Sequence, residues 1–295
     1  MKGDAEMRQQ WKIMAALLAL ALLLTVCAGC GGAKKTWDPA DELRVTFIDE
    51  GKGDCVLLER DGVFALIDAG YRETADAVTA CLRERGVETL AFLIITHYDK
   101  DHVGGAAAIA ENFAISQLYL PGYEGHSKYY TALMQVIEER SLPALRVTED
   151  VSFTLSGVDF TIFASPVEYV WDGTEEGNDN DVSLVTEARY GQDSYLFAGD
   201  LEKAGISAYL AAGHGTYDVV KMPHHGSKKK NTDDFIESTR PRIAVITDSA
   251  DDPAEDATLT LLKQYSAAVY RTALNGTVTV TSGGVGKYSV DSTTP

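Results

Sequence analysis

Beyond residue 42 the chain is built from short apolar runs separated by turn residues. "LRVTFID" (43–49) and "CVLLER" (55–60) read as strands parted by the turn "EGKGD", and "GVFALIDAG" (62–70) as a third strand closed by Gly70. In "RETADAVTACLRERG" (72–86) the spacing becomes helical, with Ala75, Val78 and Leu82 on one face and Gly86 as the stop. "LAFLIITH" (90–97) is an unbroken apolar run up to its last two residues, as expected of a strand covered on both faces. The rhythm then repeats. "ISQLYLPG" predicts a strand and "YYTALMQVIEERS" a helix. Hairpins are expected at 151–165, around Ser156-Gly157, and at 182–200, ending in Gly199-Asp200. Further strands are expected in 217–227 and 242–249, and a closing hairpin in "AVYRTALNGTVTVTSGG". This order predicts an α/β (α+β) fold, an αββα sandwich of two mixed sheets flanked by helices.

The first 41 residues read differently. Lys2, Arg8 and Lys12 precede the uncharged run "IMAALLALALLLTV" (13–26), which is short for a membrane span and suited to a signal-peptide core. "CAGC" follows and resembles a lipoprotein processing site with Cys30 as the lipidated residue. The expected organisation is a signal peptide over 1–29, a polar tether over 30–41 and one domain over 42–290. That places the protein on the extracellular face of the cell membrane through an N-terminal lipid anchor; the alternative is simple secretion. Removal of Cys27 leaves Cys55 and Cys81 in the domain, too few for a disulfide framework and without zinc-site spacing.

Charge narrows the partners. A formal net charge of −18 argues against tight binding of polyanions over the general surface. Against that background the stretch "THYDKDHVGG" (96–105) stands out, because His97, Asp99, Asp101 and His102 put four potential metal ligands into six positions. Outside a metal site, such a density of polar groups at the end of a buried strand is costly. Others recur at predicted strand ends: Asp68 after "FALI", Asp200 after "YLFAG", and His224-His225 after "VVKMP". Imidazoles combined with carboxylates suit Zn, Mn or Fe, and a pair of ions needs a bridging carboxylate such as Asp200.

Together, "THYDKDHVGG", "LIDAG", "FAGD" and "KMPHHGS" resemble the metallo-β-lactamase fold, and more closely the extracellular β-lactamase-like domain of the competence protein ComEC. "VTFIDEGKGDCVLL" and "NDVSLV" are similar to further elements of that group. The resemblance implies two divalent metal ions, Zn or Mn. His97 and Asp99 hold the first, Asp101 and His102 the second, and Asp200 bridges them. His225 is favoured to complete the second position, with His224 beside it as a substrate- or proton-handling group. Asp101, His224 and Lys221 form the implied catalytic set, and Asp68 supports the ligands by hydrogen bonds. Where the superfamily often has a third histidine, this chain has Asn180 and Ser183, and Asp99 also replaces a histidine. Both changes enrich the first position in oxygen and favour harder ions. The Gly-His-Pro loop common in the family is here "ADDPAEDATL", and no ComEC-type channel accompanies the domain in this sequence.

The expected function is a metal-dependent hydrolase that uses a metal-activated water on phosphodiester or phosphoester bonds. Single-stranded DNA is one candidate substrate, met by an anion rim of Lys228, Lys229 and Lys230. The alternatives are hydrolysis of a small phosphoester, lactone or amide, and a non-catalytic metal-binding surface module.

Overall fold

The computed structural model describes residues 37–174 and 177–294. The expected signal peptide, Cys30 and the first part of the tether lie outside these residues. Asp41, the last residue of the expected tether, is held by the strands: its carbonyl accepts from the Tyr190 hydroxyl at 2.9 Å and from Arg60 at 2.7 Å.

The first sheet opens with three antiparallel strands, β1 (Leu43–Phe47), β2 (Val56–Arg60) and β3 (Val63–Ile67). It continues in parallel through β4 (Thr89–Ile94), with the two-residue β5 (Ala114–Ile115) beside it, to β6 (Leu118–Pro121) and β7 (Ala144–Val147). The second sheet is a meander of β8 (Val151–Leu155), β9 (Val158–Phe163), β10 (Val185–Tyr190) and β11 (Asp193–Phe197). Three parallel strands extend it: β12 (Val219–Lys221), β13 (Ile243–Ile246) and β14 (Ala268–Arg271). The last pair, β15 (Val278–Ser282) and β16 (Tyr288–Ser292), returns to the edge of the first sheet beside β1.

Strand periodicity explains the layers. Phe92 and Ile94 of β4 point into the space between the sheets, where they meet Phe160, Phe197 and Val245. Their alternates Leu93 and Ile95 point outward and pack with Leu82, Ile109 and Leu133. The unbroken apolar run at 90–95 is therefore two buried faces of one strand. The sheets touch through Phe47 and Phe197, whose ring centroids are 6.3 Å apart. Each such buried side chain contributes roughly 1.5–3 kcal/mol.

Helices α1 (Ala75–Glu84), α2 (Lys100–Val103), α3 (Ala106–Asn112) and α4 (Lys128–Arg140) belong to the first half of the chain. α1 buries Ala75, Val78 and Leu82, the face read from the sequence, and Ser127 caps α4 by accepting from the Tyr130 amide at 3.2 Å. Helices α5 (Lys203–Ala211), α6 (Thr232–Thr239) and α7 (Asp256–Gln264) cover the second sheet with Ile206, Phe235 and Leu262. The result is the αββα sandwich that the sequence predicts.

One element differs from expectation. "AVYRTALNGTVTVTSGG" does not form a hairpin: its two strands enter different sheets, joined by the short helix α8 (Thr272–Asn275). The alternating Val-Thr of β15 buries Val278 and Val280 between the sheets when paired with β1, and its hairpin partner is β16. Cys55 is buried, Cys81 is half-buried, and the two are not bonded.

Candidate metal centre

Asp68, His97, Asp200 and His225 all follow the C-terminal ends of strands (β3, β4, β11 and β12), so the sandwich delivers them to one edge. Tight backbone approaches bring the loops together. A Cβ on Gly105 would stand 2.2 Å from the Ala69 carbonyl oxygen, and one on Gly104 would stand 2.7 Å from the Arg72 nitrogen. The Gly-Gly after His102 thus lets the 99–105 turn lie directly on the 69–72 loop. Asp68, His224 and His225 hold left-handed backbone at φ 58°, 45° and 51°. Such conformations cost energy in non-glycine residues and persist where surrounding structure enforces them.

Four ligand atoms, one each from Asp101, His102, Asp200 and His225, lie within 4.8 Å of one another. His225 Nε2 is 3.0 Å from Asp200 Oδ2 and 3.4 Å from Asp101 Oδ2, while His102 Nε2 is 3.4 Å from Asp200 Oδ1. Both imidazoles are oriented from behind. His102 Nδ1 sits 2.8 Å from Asp68 Oδ2, and Asp68 also accepts from the Thr96 amide at 2.8 Å and the Thr96 hydroxyl at 2.7 Å. His225 Nδ1 donates to the Thr247 carbonyl at 2.8 Å. These bonds leave each Nε2 aimed into the cluster, buried and without a hydrogen-bond partner.

The electrostatics agree with a cation site. Burial disfavours a charged His225, yet Asp200 and Asp101 overcome it and raise the ring to about 9. His102 is likewise raised well above its usual value, against its own burial, by Asp200, Asp68 and Asp54. The carboxylates draw protons to where a divalent ion would sit, and binding of such an ion would displace them. The orphaned Nε2 atoms and the mixed oxygen and nitrogen donors fit a divalent metal.

Behind the cluster lies Lys221, 1 % exposed, its ammonium paired with Asp54 and 3.2 Å from Asp200 Oδ1. It also donates to the Gly199 carbonyl at 2.9 Å. This enclosure makes Lys221, one of the expected catalytic set, a buried counter-charge to Asp54 and Asp200. Asp54, unassigned in the sequence reading, gathers four partners: Lys221, the Thr247 hydroxyl at 2.5 Å, His225 Nδ1 at 3.7 Å and His102 Nδ1 at 3.8 Å. Its signal was visible in the Gly-x-Gly-Asp turn.

The first expected position is less complete. His97 is fully buried, its Nδ1 3.1 Å from the Thr96 hydroxyl and its Nε2 3.6 Å from Asp99 Oδ2. His97 Nε2, Asp99 Oδ1 and Asn180 Oδ1 are buried without hydrogen-bond partners. Burial raises the Asp99 carboxyl, but hydrogen bonding and charge from His97 bring it below its usual value. Ser183 accepts from the Asp200 amide at 3.3 Å and so steadies Asp200.

The rim also departs from expectation. The two left-handed residues send the His rings apart: His224 Nδ1 lies 2.8 Å from Glu202 Oε1, outside the four-ligand cluster. Lys229 reaches the same Glu202 oxygen at 2.7 Å, and Lys228 pairs with Asp233 at 2.7 Å, while Lys230 is exposed. Two of the three rim lysines are therefore matched by carboxylates.

A sandwich of this layering, with imidazoles and carboxylates gathered at one sheet edge, defines a metal-ligating αββα hydrolase fold. The chain belongs to the metallo-β-lactamase superfamily, whose family profile matches residues 48–246. It is 27 % identical over 262 residues to ComE operon protein 3 of Bacillus subtilis (strain 168), covering 81 % of this chain and 33 % of that one. It is 28 % identical over 256 residues to Recombination protein 2 of Haemophilus influenzae (strain ATCC 51907 / DSM 11121 / KW20 / Rd), covering 84 % and 29 %. The chain thus spans about a third of the length of these relatives. Among solved structures, Tm1679, a metal-dependent hydrolase of the β-lactamase superfamily, superposes with a TM-score of 0.52 at 13 % identity, over 78 % of this chain and 95 % of that one. The superfamily supports a metal-dependent hydrolase, and the expected likeness to competence proteins is met.

Proposed function

We propose that this chain is a metal-dependent phosphoesterase acting on phosphodiester bonds. The observation that carries the reading is the cluster of Asp101, His102, Asp200 and His225, with two buried imidazole nitrogens aimed at one point. Asp101, Asp200 and the two imidazoles would hold one divalent ion, with His97 and Asp99 beside it for a second. A divalent ion there supplies Lewis acidity toward a phosphoryl oxygen and a nucleophilic water near neutral pH. The oxygen-rich donor set supports phosphoryl chemistry with Mn²⁺ or Zn²⁺. Asp68, Thr96 and Thr247 keep the imidazoles in register, and Lys221 holds Asp200.

The name Recombination protein 2, carried by one relative, is consistent with a nucleic-acid substrate such as single-stranded DNA. One observation favours a smaller phosphoester instead: Lys228 and Lys229 are neutralised by Asp233 and Glu202, which weakens the rim as a track for a strand. A panel of bis(p-nitrophenyl) phosphate, single-stranded DNA, phosphocholine and a lactone, run in parallel with Mn²⁺ and Zn²⁺, tests the reading. Turnover of the phosphodiesters that disappears in Asp200→Ala is expected. Turnover of the lactone alone, or activity that survives Asp200→Ala, would contradict it.

Anchoring through a lipid on Cys30 at the outer cell surface completes the proposal. Among the described residues no helix is long and apolar enough to cross a membrane. Palmitate labelling of the expressed protein should vanish in Cys30→Ala; labelling that persists would rule out this anchor.

A further inference from the structure

The turn before β2 and the loop after β13 meet at the open side of the four-ligand cluster. Of the four ligands Asp101 is the most open, at 17 % side-chain exposure against 3 % or less for His102, Asp200 and His225. A substrate therefore reaches the ion from the Asp101 side. We infer that Lys52 binds the phosphoryl group of an anionic substrate there, and that Asp252 occupies the ammonium until the substrate displaces it. The inference rests on the phosphoester reading above and names the residue that grips the substrate's charge.

The Lys52 backbone is fixed against the turn that carries Asp101. A Cβ on Gly53 would stand 2.9 Å from the Asp101 carbonyl oxygen, which also accepts from the Asp54 amide at 3.0 Å. The Tyr71 hydroxyl donates to the Lys52 carbonyl at 2.7 Å, and its ring lies against Gly53. Asp252 belongs to the loop after β13, which packs on the turn that carries His225. His225 Nδ1 donates to the Thr247 carbonyl at 2.8 Å, and the Glu255 amide donates to the Gly226 carbonyl at 3.3 Å. A Cβ on Gly226 would meet that of Ala254 at 2.8 Å. Lys52 Nζ and Asp252 Oδ2, 2.5 Å apart, thus join the Asp101 turn to the His225 turn. The Lys52 hydrogen bond, with the charges of His225 and His224 behind it, holds the Asp252 carboxyl below its usual value, which puts the pair within electrostatic reach of the centre.

The two partners are not equivalent. The Lys52 side chain is 24 % exposed and anchored through its backbone, whereas that of Asp252 is 64 % exposed. A pair with so exposed a carboxylate is worth little, so an oxyanion can replace it at small cost. The ammonium left behind is a point charge on a flexible stem, able to follow a phosphoryl oxygen. Neighbouring cations are already engaged: Lys221 is buried between Asp54 and Asp200, and Lys228 and Lys229 reach Asp233 and Glu202. One exchangeable ammonium beside a divalent ion suits one phosphoryl group, whereas a long strand is held by a row of cations.

The test is calorimetric titration of inorganic phosphate into the Mn²⁺-loaded protein at fixed ionic strength, with bound metal counted beforehand by elemental analysis. Lys52→Met should weaken phosphate binding about tenfold, the size of a lost charge-assisted contact, and Lys52→Arg should restore most of it. Asp252→Asn should act in the opposite direction and tighten binding about threefold, since the ammonium loses its competitor. All three variants should carry as much Mn²⁺ as the wild type. The opposite signs decide the matter, because a pair that only strapped the two turns together would weaken binding in both Lys52→Met and Asp252→Asn. That pattern would overturn the inference, as would unchanged affinity in Lys52→Met or loss of Mn²⁺ from it. A wild type that holds Mn²⁺ and takes up no phosphate sinks only this inference. A wild type that binds no metal sinks the proposed function with it.

Discussion

The two ends of the metal centre are built on different plans. Around Asp101, His102, Asp200 and His225 each imidazole has a partner behind it and Asp200 has a buried ammonium, so three of these four residues are held from outside the cluster. Around His97 and Asp99 the support behind the imidazole is a threonine hydroxyl, and, besides the open ring nitrogen found at both ends, the oxygens Asp99 Oδ1 and Asn180 Oδ1 lack hydrogen-bond partners. The contrast teaches where the family's motif is held rigid by the fold and where it has been rebuilt with oxygen.

The largest effect is expected at the support of the rigid end. Lys221→Met would leave Asp54 and Asp200 buried without their counter-charge, a change that costs roughly 3–5 kcal/mol. Thermal melting should fall steeply in chelator and recover partly with Mn²⁺, because a divalent ion replaces the missing charge at Asp200. Equal destabilisation with and without metal would separate Lys221 from the centre.

Next in size is a pH effect from the loop that carries Asp54. Burial, with the Asp49 charge nearby, pushes the Glu50 carboxyl up from 4.5 to about 7 against the opposing hydrogen bond from Thr74. The folded state therefore keeps this proton more tightly than the unfolded chain does. Stability attributable to Glu50 is greatest below about 4.5, declines as pH rises through the interval to 7, and stays low above it. The span corresponds to about 3 kcal/mol as an upper bound. Glu50→Gln should flatten the profile and raise stability at pH 8; an unchanged slope between pH 5 and 7 would show that Glu50 is not the group responsible.

The smallest effect sharpens the comparison at the rebuilt end. Asp99→His restores a softer ligand and should shift preference from Mn²⁺ toward Zn²⁺ by about tenfold, or 1.4 kcal/mol. Competitive titration measures it, and an unchanged preference would mean that position 99 does not set metal choice.

Much of this was legible in the sequence because it is local. Apolar alternation located the strands, and the spacing of His97, Asp99, Asp101 and His102 exposed the centre. What escaped depends on distant pairings. Nothing nearby in the chain reveals that Asp54 and Asp200 enclose the Lys221 ammonium. The direction of His224 follows from two left-handed residues in a row, which no residue type there announces. The tail misled because "TVTVTS" alternates equally well for a hairpin and for pairing with β1, and burial between the sheets decided it.

The most direct test of the central claim is the metal content of the purified wild type after Mn²⁺ or Zn²⁺ supplementation and removal of free ions, set beside Asp200→Ala. The account predicts at least one tightly held equivalent in the wild type and its loss in the variant. Less than one equivalent in the wild type, or the same content in both, would contradict it.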